Sequence, residues 1–207
     1  MRLTADMLFF IIHYPQIAAA MLHARCEKWV PWLQGAMDEY QINTPMRMAH
    51  FLAQLAHESG RFAYNKELWG PTTAQRGYDA RADLGNTHPD AIAIALLHKS
   101  TPGKWWMGHG PIQITGYNNH KACGEALGLD LLNHPELLEM PQHGARAAGW
   151  FWSVNNLNPI ADTGNVDHVS DKINRGRLTE KVGDSNGYAE RKMLTERAYK
   201  ALGVVRA

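Results

Sequence analysis

Along most of the chain apolar residues recur at three- and four-residue steps, the spacing of an amphipathic helix rather than a strand. Thr4 is placed to cap a first helix that takes in Met7, Leu8, Phe9, Phe10, Ile11 and Ile12, and Pro15 ends it or opens the next. Over residues 24–41 the stripe Trp29, Val30, Trp32, Leu33, Ala36 and Met37 predicts a second helix, with Pro31 marking a start or a kink. Thr44-Pro45 is a cap followed by a first-turn proline, opening a helix through Met48, Leu52, Leu55 and Ala56 that ends near Ser59-Gly60.

The pattern then breaks. Residues 60–116 are dense in glycine and proline, and only 90–98 reads as helix. Irregular stretches this long in a compact domain are uncommon and usually functional. Helical spacing resumes over 118–128, 141–153, 166–173 and 187–203. There is no internal repeat and no Gly/Ser- or Pro-rich linker leading to an appended module. The expectation is a mainly α protein, one domain over residues 1–207, with a loop-rich face and at most a very short β element.

Composition narrows the function classes. Lys and Arg number 21 against 20 Asp and Glu, a formal net charge of +1, and the basic residues form no run, which argues against nucleic acid as partner. The two cysteines, Cys26 and Cys123, are too few for a disulfide-stapled scaffold and read as buried apolar residues. No stretch is apolar enough to span a bilayer, and Asp6 spoils the only resemblance to a signal peptide.

Few residues suggest chemistry. Glu58 closes the Thr44 helix one turn after Gln54, at the edge of an apolar stripe, where a carboxyl has its charged form disfavoured and can serve as a general acid. On position alone a solvated helix end is the plainer reading. Glu67 follows nine residues later; glycoside hydrolysis uses two carboxyl groups, and this loop spacing permits the pair without establishing it. In Gly108-His109-Gly110-Pro111-Ile112-Gln113-Ile114-Thr115 the apolar and polar residues alternate, as in a short strand that presents Gln113 and Thr115 together; an ordinary turn fits as well. Trp69, Tyr78, Trp105, Trp106 and Tyr117 lie in or beside the loops, where a ring could stack on a sugar. Arg61 stands where the second histidine of HExxH would fall, the histidines show no metal spacing, and no nucleophile elbow, phosphate loop or dinucleotide fingerprint occurs.

Taken together, Phe51-Leu52-Ala53-Gln54-Leu55-Ala56-His57-Glu58-Ser59-Gly60-Arg61-Phe62, then Glu67, then Gly110-Pro111-Ile112-Gln113-Ile114-Thr115 with Asn118-Asn119, then Ile173-Asn174-Arg175-Gly176 and Arg191 resemble glycoside hydrolase family 19, the chitinase-like hydrolases, and within it the compact phage and prophage endolysins. The resemblance covers about residues 36–202 and leaves 1–25 as a helical extension. It implies a lysozyme-like fold with a cleft, inversion of configuration and neither metal nor cofactor. By position, Glu58 matches the general acid, Glu67 the general base, and Thr115 the residue that helps place the water. Gln113, Asn119 and Asn174 match residues lining sugar subsites, with Trp69 and Tyr117 as candidate stacking rings. Arg191 matches a buried arginine that orients the catalytic network, expected to favour the ionised form of Glu67.

Two segments depart from the family pattern. Where the family often has Arg-Gly-Arg-Gly before Pro-Ile-Gln, the sequence reads Trp106-Met107-Gly108-His109-Gly110, and the usual Ile-Asn-Gly-Gly is Ile173-Asn174-Arg175-Gly176. The resemblance implies a monomeric peptidoglycan-cleaving glycosidase, made in the bacterial cytoplasm and reaching the wall through a holin-type pore, without stable membrane insertion. Chitin is the closest competing substrate. A single-glutamate lytic transglycosylase and a non-catalytic wall-binding protein are the alternatives.

Overall fold

The computed structural model describes residues 1–205. Among them the chain forms α1 (Ala5–Ile12), α2 (Ala19–Glu39), α3 (Pro45–Glu58), α4 (Thr73–Arg76), α5 (Pro89–Leu97), α6 (Pro102–Trp105), α7 (Tyr117–Leu127), α8 (Pro141–Val154), α9 (Leu157–Asp162), α10 (Val166–Arg175) and α11 (Tyr188–Leu202). Short 3-10 turns lie at Tyr78–Ala80, Ala82–Leu84 and Pro135–Glu139. The β structure among the described residues is two isolated antiparallel bridges, Lys66 with His109 and His109 with Ile114. The fold is therefore mainly α. It divides into two compact units, Met1–Ala63 with Ala148–Ala207, and Tyr64–Ala147.

In the first unit α3 packs against α11, α9, α10 and α1, and α1 against α2 and α11. The start of α3 is as its sequence predicts: Thr44 Oγ1 accepts the Arg47 N–H at 3.2 Å and Pro45 fills the first turn. Every residue from Met48 to Ala56 is buried, so α3 is a central helix and not merely an amphipathic one. Thr4 caps α1 by accepting the Met7 N–H. The second helix begins earlier than its Trp-rich stripe suggests. Leu22 and Cys26 extend the buried face of Trp29, Leu33, Ala36 and Met37 back by two turns, and Pro31 sits inside α2 on its exposed side. No helix among the described residues is long and apolar enough to cross a membrane.

The second unit holds the loop-rich stretch. Residues 90–98 form α5 nearly as expected, whereas the four-residue helices α4 and α6 carry too short a pattern to be read. Trp106 and Tyr117 are buried with Ala91 and Ala95 in a small core of this unit. Cys26 and Cys123 are both buried, and burial pushes each thiol up to about 12, leaving them inert and apolar in character.

Candidate active site

Glu58 is the last residue of α3, with its side chain 21% exposed. The apolar setting expected from the sequence is not what it has. Arg191, from α11 and 1% exposed, donates from Nη2 to Glu58 Oε1, from Nη1 to Gln54 Oε1 at 2.5 Å and from Nε to the Asn186 carbonyl at 2.9 Å. Gln54 in turn donates to Ser170 Oγ at 3.2 Å, and Ser170 donates to the Val166 carbonyl at 2.7 Å. The arginine expected to serve Glu67 thus pairs with Glu58.

A second set flanks the first. His57 Nδ1 lies 2.9 Å from Glu190 Oε2, and Arg61 Nη2 lies 2.5 Å from Glu190 Oε1. Burial pushes the His57 imidazole below its ordinary value, the Arg191 charge adds to this, and the Glu190 carboxylate opposes both. Burial alone would push Glu190 up, but the Arg61 charge and the hydrogen bonds from His57 and Arg61 hold it below the usual range.

The turn leaving α3 is strained: Gly60, Arg61 and Phe62 have φ of 54°, 59° and 59°. Left-handed backbone costs a non-glycine residue about 1–2 kcal/mol, so the surroundings must impose it. They do so from several directions. The Phe62 ring meets Trp29 at 5.2 Å, the Arg61 guanidinium stands 4.5 Å above the Tyr14 ring, and Arg25 donates to the Arg61 carbonyl at 2.9 Å.

Glu67 belongs to the second unit and is held differently. Burial alternates along residues 65–69, with Asn65, Glu67 and Trp69 turned partly inward and Lys66 and Leu68 outward, as in an extended segment. Glu67 Oε1 accepts from Gln75 Nε2 at 2.9 Å and from Tyr78 Oη at 3.1 Å, and Oε2 accepts from the Gly108 N–H at 3.0 Å. Its own N–H donates to the Gly108 carbonyl at 2.7 Å. Gln75 is fixed by a capping box with Thr72 at the start of α4. Burial and the Glu67 charge push the Tyr78 phenol up, keeping it a donor.

Of the two readings the alternation left open, a short strand and an ordinary turn, the segment is the turn. His109 and Ile114 exchange both backbone hydrogen bonds, at 3.0 and 2.9 Å, and Gln113 has φ 57°, outside any strand conformation. Ile112 and Ile114 are buried as the alternation suggests, but Gln113 folds back, donating to the Gly110 carbonyl at 2.9 Å. Thr115 Oγ1 donates to the Gln113 carbonyl at 2.8 Å, and Asn119 donates to the Thr115 carbonyl at 2.7 Å.

Asn174, in the first unit, accepts the Asn186 N–H at 3.0 Å. Trp69 is partly buried with its ring edge-on to Tyr78 at 6.0 Å. Tyr117 is not a free stacking ring: it is 4% exposed and packs on Trp106 and His88, because the helix start at Gly116 turns it into the local core. Trp106, fully buried, is likewise unavailable.

Sequence reasoning missed Gln75 as a holder of Glu67, the Glu190–His57–Arg61 set, and the buried pair His109 and His120. Only the first had a readable signal, the Thr72-x-x-Gln75 capping pattern. Among the described residues no group of three or more His, Cys, Asp or Glu side chains could hold a metal.

These features define a mainly α, lysozyme-like fold in which one carboxylate is paired with a buried arginine and another is cradled by neutral donors. A family model described as chitinase class I, of glycoside hydrolase family 19, matches residues 33–169. The chain belongs to glycoside hydrolase family 19.

Glu58, Glu67, Gln113, Thr115 and Asn119 lie inside the matched stretch, and Asn174 and Arg191 beyond it. An endochitinase of Arabidopsis thaliana is 35% identical over 143 residues, covering 68% of this chain and 44% of the relative. Endochitinase 1 of Theobroma cacao is 38% identical over 106 residues, covering 51% and 32%. The chain thus spans less than half the length of these curated relatives. Chitinase C of Streptomyces griseus superposes with a TM-score of 0.68 at 23% identity, over 97% of this chain and 76% of that one. A bacterial family 19 chitinase gives 0.68 at 22%, covering 98% and 95%. At these identities the likeness shows the fold.

Proposed function

We propose that the protein is an inverting glycosidase that hydrolyses β-1,4 bonds between amino sugars, with peptidoglycan as its substrate. Glu58 donates a proton to the glycosidic oxygen, Glu67 takes one from the attacking water, and Thr115 helps place that water. In this mechanism the C–O bond to the leaving sugar breaks as the water oxygen bonds to the anomeric carbon from the opposite face, and no covalent sugar–enzyme intermediate forms. The observation that carries the reading is the cradle of Glu67: Gln75, Tyr78 and the Gly108 amide converge on a second carboxylate that a single-glutamate transglycosylase would not need.

The test is hydrolysis of purified peptidoglycan with mass spectrometry of the products. Wild type should release fragments with reducing ends. Glu58→Gln and Glu67→Gln should each lose about 10²–10⁴-fold in rate, the usual worth of a positioned acid or base. Anhydro-sugar ends, or a Glu67→Gln variant as active as wild type, would refute the two-carboxylate reading.

A chitinase is the second reading, and the names of the endochitinase relatives favour it. It predicts the same loss in both variants on chitin oligosaccharides, with intact peptidoglycan left uncut.

A further inference from the structure

Within the second unit two imidazoles meet away from solvent. His109 is 2% exposed and His120 fully buried. His109 Nδ1 lies 3.2 Å from His120 Nε2, the rings edge to face. His120 Nδ1 lies 2.9 Å from the Gly116 carbonyl oxygen, which can only accept, so Nδ1 carries that ring's hydrogen. Nε2 of a neutral His120 is then a lone pair, and the hydrogen between the rings belongs to His109 Nδ1. The chain of donation runs from His109 to His120 to Gly116.

The same His109 is tied to Glu67. Its backbone exchanges hydrogen bonds with Ile114 and bridges to Lys66, and its neighbour Gly108 both accepts the Glu67 N–H and donates to the Glu67 carboxylate. The backbone that carries the His109 ring thus adjoins the peptide that holds the Glu67 carboxylate. Gly108 packs closely on the turn, since a Cβ there would stand 2.4 Å from Gln113 Oε1.

We infer that His109 and His120 form a neutral buried pair that positions Glu67 through Gly108. The inference rests on Glu67 being the base. It falls on Gly108-His109-Gly110, where the sequence departs from the Arg-Gly-Arg-Gly that the family often has.

The charged groups around the pair are few. Glu139 Oε1 lies 3.8 Å from His109 Nε2, Lys66 pairs with that same oxygen at 3.0 Å, and Glu67 stands beyond Gly108. Burial, then the neighbouring His120 and Lys66, push the His109 imidazole down to about 3, and burial pushes His120 down to about 4. Both rings stay neutral across neutral pH, which the one-way hydrogen-bond chain requires.

Nitrogen-15 NMR of the wild-type protein tests the pair without reference to activity. His120 should show the Nδ1–H tautomer, and neither ring should titrate above pH 5. A ring titrating near 6.5, or an Nε2–H tautomer at His120, overturns the inference.

Kinetics on peptidoglycan and on chitin oligosaccharides test the positioning. His109→Leu should lower kcat by about tenfold or more with KM within about twofold, the signature of a group acting in the transition state. His109→Asn, whose amide can place an N–H near the lost Nδ1, should recover most of kcat. A folded His109→Leu variant with wild-type kcat, or a His109→Asn variant as impaired as His109→Leu, refutes positioning. Glu67→Gln separates the two levels. If it stays active, the assignment of Glu67 fails and the inference falls with it; if it is inactive while His109→Leu is not, only the inference fails.

Discussion

Arg191 should be the most tightly coupled residue of the first unit, and a double-mutant cycle with Glu58 measures how tightly. The guanidinium is 1% exposed and gives its donors to Glu58, Gln54 and the Asn186 carbonyl. Arg191→Met keeps much of the volume but leaves the Glu58 carboxylate and the Gln54 oxygen without their donor. Removing one partner of a buried ion pair costs about 3–5 kcal/mol; because the Glu58 side chain is 21% exposed, water relieves part of this, and about 3 kcal/mol is expected. Glu58→Gln leaves the buried cation facing a neutral amide, at about 2 kcal/mol. In the double variant neither charge is stranded, so the combined loss should fall short of the sum by at least about 1.5 kcal/mol. Urea unfolding at pH 7, followed by tryptophan fluorescence, reads all three values. A coupling under about 0.5 kcal/mol among folded variants would show that the contact between guanidinium and carboxylate carries no energy and that Arg191 serves only as packing.

Gly187 precedes α11 with φ 70°, and a Cβ there would stand 2.2 Å from the His57 ring, so Gly187→Ala should cost about 2 kcal/mol or more and lower Tm in calorimetry; an unchanged Tm would mean His57 is not seated on that backbone. The buried histidines set an acid limit. Their pKa values fall from 6.5 in the unfolded chain to about 3 for His109 and about 4 for His120, so the unfolded state binds protons first as pH drops. Their stabilisation is full above the unfolded value and is lost between 6.5 and the folded values, about 2–3 kcal/mol per histidine by pH 4.5. Urea midpoints between pH 7 and 4.5 check this, and His120→Gln should flatten the dependence. Tyr78→Phe removes one of the donors to Glu67 and should lower kcat several-fold with little loss of stability; an unaltered rate would show that Gln75 and Gly108 suffice.

The helices with a stripe and a cap were legible because both signals are local: Thr44-Pro45 fixes the start of α3, and Gln54 and Glu58 share a face by spacing alone. Pro31 left a helix start and an interior kink both open, and the buried face that Leu22 and Cys26 carry back past it makes it interior to α2. Residues 112–115 likewise stayed open between a short strand and a turn. Alternating burial at Ile112 and Ile114 is compatible with either a strand or a tight turn, and the left-handed φ of Gln113 is not written in its side chain. Tyr117 misled because an aromatic beside a glycine-rich loop looks exposed until the helix it starts is seen to carry it inward.

The two carboxylates differ in how far along the chain their holders lie, and this decides what the sequence could say about each. Glu67 takes its donors from residues 8, 11 and 41 positions away, two of them in the turn structure that follows it, so a capping pattern at Thr72 and Gln75 already bears on its setting. Glu58 is held by Arg191, 133 positions away, and by a network that joins α3 to α10 and α11. No local period encodes that pairing; only the family motif brought Arg191 into view, as an arginine that orients the catalytic network. The same asymmetry governs vulnerability. Lesions that loosen α11 anywhere along its seat on α3 should reach Glu58 through Arg191, whereas Glu67 answers mainly to its own loop and to the backbone between Gly108 and Ile114. Pairing at long range makes Glu58 a reporter of the packing of the whole first unit, and the local cradle makes Glu67 a reporter of one turn.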